Sequence, residues 1–128
     1  MTAPTLHSVE IKAFVPARDF AQSLRFYQRI GFEAPWIGED LAYLRHEDCS
    51  FFLQNFYLAA HADNFLMHFL VTDADAWHRH IVVSGVIEEF GARVGQPADQ
   101  PWGLRDFTLI DPTGVCWRIG HNLPKVER

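Results

Sequence analysis

Seven histidines and two cysteines are the residues best equipped for catalysis or metal binding in this chain of 128 residues. A metal site needs such residues at ligand spacing, usually with a carboxylate in support. His78 and His80 lie two positions apart on a predicted helix, so their side chains diverge. Cys49 and Cys116 have no recognisable histidine base, and no phosphate loop or Ser-His-Asp order occurs. We therefore expect no bound metal, no cofactor and no catalytic nucleophile.

One arginine lies where the strand pattern points inward. The stretch PWGLRDFTLIDPTGVCWRIGHN, residues 101–122, ends in a short apolar run that carries Arg118. A buried arginine without a partner is costly. Two interpretations are open: Arg118 hydrogen-bonds a ligand, or it forms a salt bridge with an acid such as Glu10 or Asp106.

The four tryptophans divide between a candidate ligand site and the core. Trp102 lies in a turn between a proline and a glycine, a place that favours ligand stacking or a dimer contact. Trp36 closes a predicted strand and fits the rim of a pocket as well as the edge of the core. Trp77 on a predicted helix and Trp117 on the last predicted strand are expected in the core.

Phenylalanines on two predicted strands could line a pocket. These residues are Phe52, Phe56, Phe65 and Phe69. Because side chains alternate along a strand, they should lie on the same faces as Gln54 and Met67. Small-molecule pockets are often lined by apolar and aromatic side chains with a few polar groups. The set therefore predicts an aromatic wall, and the alternative is an ordinary hydrophobic core.

Composition narrows the possible functions. Hydrophobic residues make up 48% of the chain and charged residues 21%, which is typical of one globular domain spanning residues 1–128. A net charge of −5 without a basic run disfavours nucleic acid. No segment is apolar for long enough to cross a membrane. The two cysteines and an N-terminus without a signal-peptide pattern favour free thiols in the cytoplasm.

The predicted elements occur in the same order twice. Residues 9–15 predict a strand, residues 19–31 a helix capped by Asp19 and ended by Gly31, and residues 33–37, 41–46 and 50–56 three further strands. Residues 65–71 predict a strand and Asp73 caps a second helix that ends at Gly85, followed by strands at VIEEF, LRDFTLI and VCWRIG. Residues 88–103 are expected to form a long loop. The two helix-capping aspartates are 54 residues apart, and so are the two helix-ending glycines. This equal spacing favours a duplicated βαβββ unit.

Three motifs in this order resemble the vicinal oxygen chelate superfamily, which includes glyoxalase I, extradiol dioxygenases and bleomycin-resistance proteins. FVPARDFAQSLRFYQRIGFE resembles the opening of its first module, VTDADAW the start of its second, and PWGLRDFTLIDPTGVCWRIG its last hairpin in the bleomycin-resistance form. The resemblance covers roughly residues 7–121. It implies an α+β fold in which two βαβββ modules, at about 7–58 and 64–121, form a curved, cup-shaped sheet.

The enzymes of this superfamily hold a divalent metal in the cup with His or Glu from four strands. The matching positions here are Lys12, Gln54, Met67 and Arg118. Two cations, an amide and a thioether do not make a site for a hard divalent metal. A register shifted by one residue would place Ile11, Leu53, His68 and Trp117 there instead, which supplies one histidine.

The resemblance therefore implies a metal-independent binding protein. We expect it to sequester an aromatic or cationic compound, such as a bleomycin-type antibiotic, in crevices at the interface of a homodimer. The expected contacts come from Trp102, Arg118, Trp36, Gln54, Phe52, Phe56, Met67, Phe69 and Lys12. The alternative is a metal-dependent glyoxalase-like lyase or isomerase, or a dioxygenase.

Overall fold

The structure is a computed structural model that describes residues 3–125. These residues form thirteen helices and strands, joined by turns and loops. The first half contains β1 (Phe14–Pro16), α1 (Phe20–Ile30), β2 (Glu33–Ile37), β3 (Leu41–His46) and β4 (Cys49–Gln54). The second half contains α2 (Ala59–Ala62), β5 (Leu66–Leu70), α3 (Ala74–Val83), α4 (Val86–Phe90), β6 (Arg93–Val94), β7 (Ala98–Asp99), β8 (Leu104–Ile110) and β9 (Cys116–Asn122). No helix in the described residues is long and apolar enough to cross a membrane.

The strands form two sheets with the same internal order. The first sheet runs β1-β4-β3-β2 and the second runs β5-β9-β8-β6, with the short β7 also paired to β8. In each sheet the first strand is parallel to the last strand of its module, and the remaining pairs are antiparallel. This shared topology confirms the α+β class and the two βαβββ modules predicted from the sequence.

Helix α1 forms where the sequence places its signals. The Asp19 carboxylate accepts a hydrogen bond from the backbone N–H of Gln22 at 3.1 Å, as an N-cap does. Gly31 ends the helix with φ 120°, which a residue with a Cβ adopts only under strain. Phe26 and Tyr27 face the core from the intervening turns.

Tyr27 joins the two modules at the centre of the core. Its ring centroid lies 5.1 Å from that of Phe51 on β4 and 5.7 Å from that of Trp117 on β9. Its hydroxyl donates to the Asp111 carboxylate at 2.5 Å and accepts from the Trp117 indole N–H at 2.9 Å. Burial and the adjacent carboxylate raise the pKa of Tyr27 well above its ordinary value, so the hydroxyl stays protonated. Trp117 is buried as predicted, whereas Trp77 is only partly buried.

The prediction of a strand at VIEEF is wrong, because this segment forms α4. Gly85 adopts the left-handed conformation at φ 84° and lets the chain turn after α3. Val86 and Phe90 are four residues apart and both buried, so a helix places them on one face. Phe90 packs edge-on against Phe26 of α1 at 5.7 Å between centroids. Tertiary packing thus overrides the strand preference of the valine and isoleucine.

Other differences concern strand ends and loops. The predicted first strand, residues 9–15, is regular only at Phe14–Pro16, since only these residues find a pairing partner in β4. Val9 and Ile11 are 92% and 97% exposed. The predicted strand at 50–56 is β4, two residues shorter at its end. The predicted loop at 88–103 holds the end of α4 and the two short strands β6 and β7.

Candidate functional site

Two groups of residues lie on the sheet faces that point away from the core. Alternation along each strand puts one set of side chains, such as Phe51 and Leu53, into the core. The other set, such as Phe52 and Gln54, faces outward. We call these the outer faces of the first and second sheets.

The outer face of the first sheet carries an aromatic row. Four side chains, one from each strand, lie in continuous register across it: Phe14, Phe52, Tyr43 and Trp36. The ring centroids of Phe14 and Phe52 are 5.0 Å apart, and those of Phe52 and Tyr43 are 6.1 Å apart. Phe14 and Trp36 are about half exposed. The row is therefore a fixed aromatic surface that a planar molecule could contact.

Lys12 lies over this row. Its Nζ is 5.3 Å from the ring centroid of Phe52 and 5.6 Å from that of Tyr43, within cation–π range. The same Nζ is 3.3 Å from the Glu10 carboxylate, which also accepts a hydrogen bond from the Ser50 hydroxyl. That hydroxyl and Lys12 lower the pKa of Glu10. The cation is thus paired and held against the rings.

Gln54 lies one step along the same outer face, in register with Leu41 and Pro16. Its side chain is partly exposed, so it can offer an amide beside the row. Phe56 follows the end of β4 instead, with its ring 6.0 Å from that of His61. The structure places Gln54 next to the aromatic row and Phe56 outside it.

The second sheet carries a different group, the tryptophan–arginine cluster, formed by Trp102, Arg118 and Asp106. Asp106 is only 2% exposed and accepts hydrogen bonds from Arg118 at 3.2 Å and from the Gln100 amide at 3.0 Å. The Arg118 guanidinium lies 5.6 Å from the centroid of the Trp102 ring. Trp102 itself is 58% exposed. The salt bridge to Asp106 foreseen from the sequence is confirmed, and the one to Glu10 is not formed.

A glycine makes room for this cluster. Gly120 lies opposite Asp106 in the β8–β9 ladder. A Cβ at residue 120 would come 2.7 Å from the Asp106 Cβ and 2.9 Å from a backbone oxygen, both closer than side-chain contacts allow. Only glycine therefore lets Asp106 sit under Arg118.

The predicted position of Met67 and Phe69 is wrong. Both lie on the core side of β5, in register with Trp117 and Ile119, and Phe69 is buried. The neighbour of Arg118 on the outer face is His68, which is exposed. The register predicted for β5 was therefore wrong by one residue.

The residues at the four positions implied by the superfamily do not fit a divalent metal. On the outer faces these positions hold Lys12, Gln54, His68 and Arg118, so two of the four are cations. Both cations are already paired with carboxylates. Among residues 3–125, no three His, Cys, Asp or Glu side chains come together in an arrangement that could hold a metal ion.

The aromatic row and the tryptophan–arginine cluster are separate within one chain. In the described part of the chain, no hydrogen bond, salt bridge or aromatic contact joins a member of one group to a member of the other. Each group is an open surface rather than an enclosed pocket.

Sequence reasoning missed Tyr43 and Phe14 as members of the row. A signal existed for Tyr43, because a two-residue turn at Glu47–Asp48 pairs His46 with Cys49 and so sets Tyr43 opposite Phe52. Phe14 was assigned to the first strand without being compared with Phe52. That pairing is a parallel contact between distant segments, which local patterns do not specify.

Solved structures similar to this one cover nearly the whole chain. A bleomycin-binding protein complexed with bleomycin has a TM-score of 0.78 and 24% identity, over 90% of this chain and 99% of that one. The bleomycin-binding protein of Streptomyces verticillus, complexed with copper(II)-bleomycin, has a TM-score of 0.76 and 22% identity, over 94% and 100%. This chain has the bleomycin-resistance fold. The resemblance seen in the sequence is thus confirmed at the level of the fold.

The bleomycin-resistance fold also occurs in enzymes. A lactoylglutathione lyase from Agrobacterium tumefaciens has a TM-score of 0.66 and 16% identity, over 91% of this chain and 95% of that one. No protein-family model matches the sequence, and no curated protein matches it. Because one fold hosts several chemistries, the function must be argued from the residues of the outer faces.

Proposed function

We propose that this chain binds and sequesters a small aromatic or cationic compound, such as a bleomycin-type antibiotic, without a metal and without changing it chemically. The observation that carries the proposal is that Trp102 is both exposed and held in place. Its indole is 58% exposed, yet it lies against an arginine that a buried aspartate holds in place. An exposed aromatic ring with fixed support is a typical ligand platform.

The Trp102 ring can stack with a planar ligand. Arg118 lies over the ring at 5.6 Å from its centroid, which leaves the opposite face of the indole for a ligand. An aromatic pair of this kind contributes about 0.5–1.5 kcal/mol beyond the area it buries. Arg118 also retains N–H groups that are not bonded to Asp106 and can donate to a ligand.

The electrostatics accommodate a cationic ligand. Lys12 is paired with Glu10 and Arg118 with Asp106, so neither leaves an unbalanced positive charge on its face. The whole chain carries a net charge of −5. A negative net charge favours the approach of cations over anions. The aromatic row then supplies faces for cation–π contacts.

We further propose that the functional unit is a homodimer. The outer faces and the turn beside them expose several large apolar side chains: Phe14, Trp36, Leu66, Leu70 and Trp102. Large apolar side chains left exposed in such numbers favour a protein–protein interface. In the dimer, the aromatic row of one protomer faces the tryptophan–arginine cluster of its partner and encloses a crevice. Two such crevices follow from two-fold symmetry.

A chelator experiment separates this proposal from a metal-dependent enzyme. Protein stripped with EDTA is titrated calorimetrically with metal-free bleomycin, and parallel samples are first incubated with Zn²⁺, Ni²⁺, Mn²⁺ or Fe²⁺ and then desalted, so that no unbound metal remains to be chelated by the bleomycin. The proposal predicts one ligand bound per subunit at the same affinity in every sample, with the ligand recovered unchanged. Binding that requires close to one metal per chain, or turnover of a glyoxalase or dioxygenase substrate, would instead favour the enzyme.

A further inference from the structure

A cavity lies apart from both groups of the proposed site. It has a volume of about 620 Å³ and opens between the β3–β4 turn, the end of β5, α3 and the end of β9. None of its lining residues belongs to the aromatic row or to the tryptophan–arginine cluster. Its size falls in the range of small-molecule sites.

Three rings form the floor of the cavity. The centroid of Trp77 lies 5.2 Å from that of Phe69 and 5.0 Å from that of His46, and the latter two are 6.0 Å apart. All three contacts are edge-to-face. Phe32 and Trp117 support Phe69 from the core, so the floor is rigid. Trp77 is partly exposed, which leaves part of its indole open to the cavity.

The rim of the cavity is acidic. Glu47 and Asp48 form the β3–β4 turn, line the cavity and are exposed. Its lining, all within residues 46–122, includes no lysine or arginine to neutralise them. Glu47 has φ 51° and is the one residue other than glycine in the described chain with positive φ. This left-handed conformation is strained for a glutamate, and a glycine there would relieve the strain.

The remaining wall is polar and fixed. His121 lines the cavity, and its Nδ1 accepts a hydrogen bond from the Ala74 backbone N–H at 2.8 Å. In the neutral ring this leaves Nε2 as the protonated nitrogen and a donor. Thr72 and Asn122 lie beside it. A ligand would therefore meet an aromatic floor, an acidic rim and a polar wall.

We propose that this cavity is a second small-molecule site, which binds a planar organic monocation. The aromatic floor attracts the face of a delocalised cation, and the two rim carboxylates add electrostatic attraction that a neutral ligand would not receive. A planar anion is excluded by the same carboxylates. The cavity shares no residue with the aromatic row or the tryptophan–arginine cluster, and Leu70 is the one side chain of the proposed interface that also lines it.

Benzamidinium is a suitable probe, with the neutral isostere benzamide as its control. The indole N–H signals of the four tryptophans are followed by NMR and assigned with single Trp→Phe variants. We expect benzamidinium to shift the Trp77 signal in a saturable manner and to leave the Trp117 signal unchanged. Benzamide is expected to bind at least about fivefold more weakly. Equal binding of the two probes, or no shift at Trp77, would overturn the proposal.

Charge variants test the role of the rim. Glu47→Gly and Asp48→Asn are each expected to weaken benzamidinium binding at least about threefold, and Glu47→Gly should also raise the Tm because it relieves the positive φ. Glu39→Gln removes the same charge from the β2–β3 turn, outside the cavity lining, and is expected to have no effect. Rim variants that bind as tightly as the unmodified protein would refute the electrostatic argument.

A final control keeps the two sites distinguishable. Trp102→Ala is expected to leave the benzamidinium shift at Trp77 unchanged, since Trp102 lies outside the cavity. A loss of that shift in Trp102→Ala would show that the probe binds in the crevice and would overturn the second site. If bleomycin fails to bind while benzamidinium still shifts Trp77, the proposed function fails and the second site stands.

Discussion

The two modules share one strand order but present different chemistry on their outer faces. On the first sheet, one aromatic side chain from each of four strands forms a row set by strand register alone. On the second sheet, one buried carboxylate holds an arginine, and the arginine supports a tryptophan from a turn. The first face is therefore an apolar platform and the second a positioned polar group with one exposed ring. In the proposed homodimer, this duplicated framework would supply two complementary halves of a site.

Removing the exposed ring of the second face should have the largest effect. Trp102→Ala is expected to weaken bleomycin binding at least about tenfold, because a tryptophan that becomes buried when the ligand binds is a typical hot spot. The Tm should stay within about 2 °C of the unmodified protein, since the side chain is largely exposed and packs little core. Isothermal titration and thermal unfolding measure the two quantities. An unchanged affinity would remove Trp102 from the site.

Arg118→Ala tests whether the arginine contacts the ligand or only neutralises Asp106. We expect about tenfold weaker binding together with a loss of about 1–3 kcal/mol in the free energy of unfolding, because Asp106 stays buried without its charged partner. Titration below the Tm, with chemical denaturation in parallel, separates the two effects. If stability falls while the affinity is unchanged, Arg118 serves only in the salt bridge.

The aromatic row should respond less to a single change, because several rings share the contact. Phe52→Leu keeps an apolar side chain but removes the central ring, and we expect about threefold to tenfold weaker binding. Phe56→Leu is the matched control, since Phe56 lies outside the row. The Phe56→Leu variant should bind bleomycin as tightly as the unmodified protein. Equal effects of the two substitutions would mean that general hydrophobicity, rather than the row, determines binding.

The smallest expected effect is a pH dependence at the edge of the row. The pKa of Glu10 is lowered by Ser50 and Lys12. The ionised Glu10 carboxylate therefore stabilises the folded protein at pH values above the ordinary pKa of a glutamate. That contribution is lost as the pH falls through the lowered pKa. Glu10→Gln should therefore have a lower Tm than the unmodified protein at neutral pH, and the difference should vanish in acid. A difference that persists at low pH would rule out this ionisation as the cause.

Sequence patterns predicted the framework well because its signals are local. Asp19, Gly31 and Asp73 act where predicted, and β2, β3 and β8 have the predicted ends. The helix at VIEEF was missed because its formation depends on packing against α1, which no local pattern contains. The partners of Arg118 and of Glu10 likewise depend on contacts between distant segments.

The candidate site was predicted only in part, for a related reason. Ligand contacts were predicted at Trp102, Arg118, Phe52 and Gln54, and the Asp106 salt bridge was one of the two alternatives for Arg118. Arg118 was expected to point inward, but it lies on the outer face of the second sheet. A one-residue error in β5 reversed the face of Met67 and exchanged it for His68. Because side chains alternate along a strand, such an error moves every residue of that strand to the wrong face.

The most direct test of the account asks whether the row and the cluster act together across two subunits. Heterodimers of one Trp102→Ala subunit and one Phe52→Leu subunit are purified and titrated with bleomycin. If each crevice takes its row from one subunit and its cluster from the other, one crevice carries both substitutions and the second carries neither. The account predicts one site of unmodified affinity per dimer. Two weakened sites, with none of unmodified affinity, would contradict it, because the row and the cluster would then act within one chain.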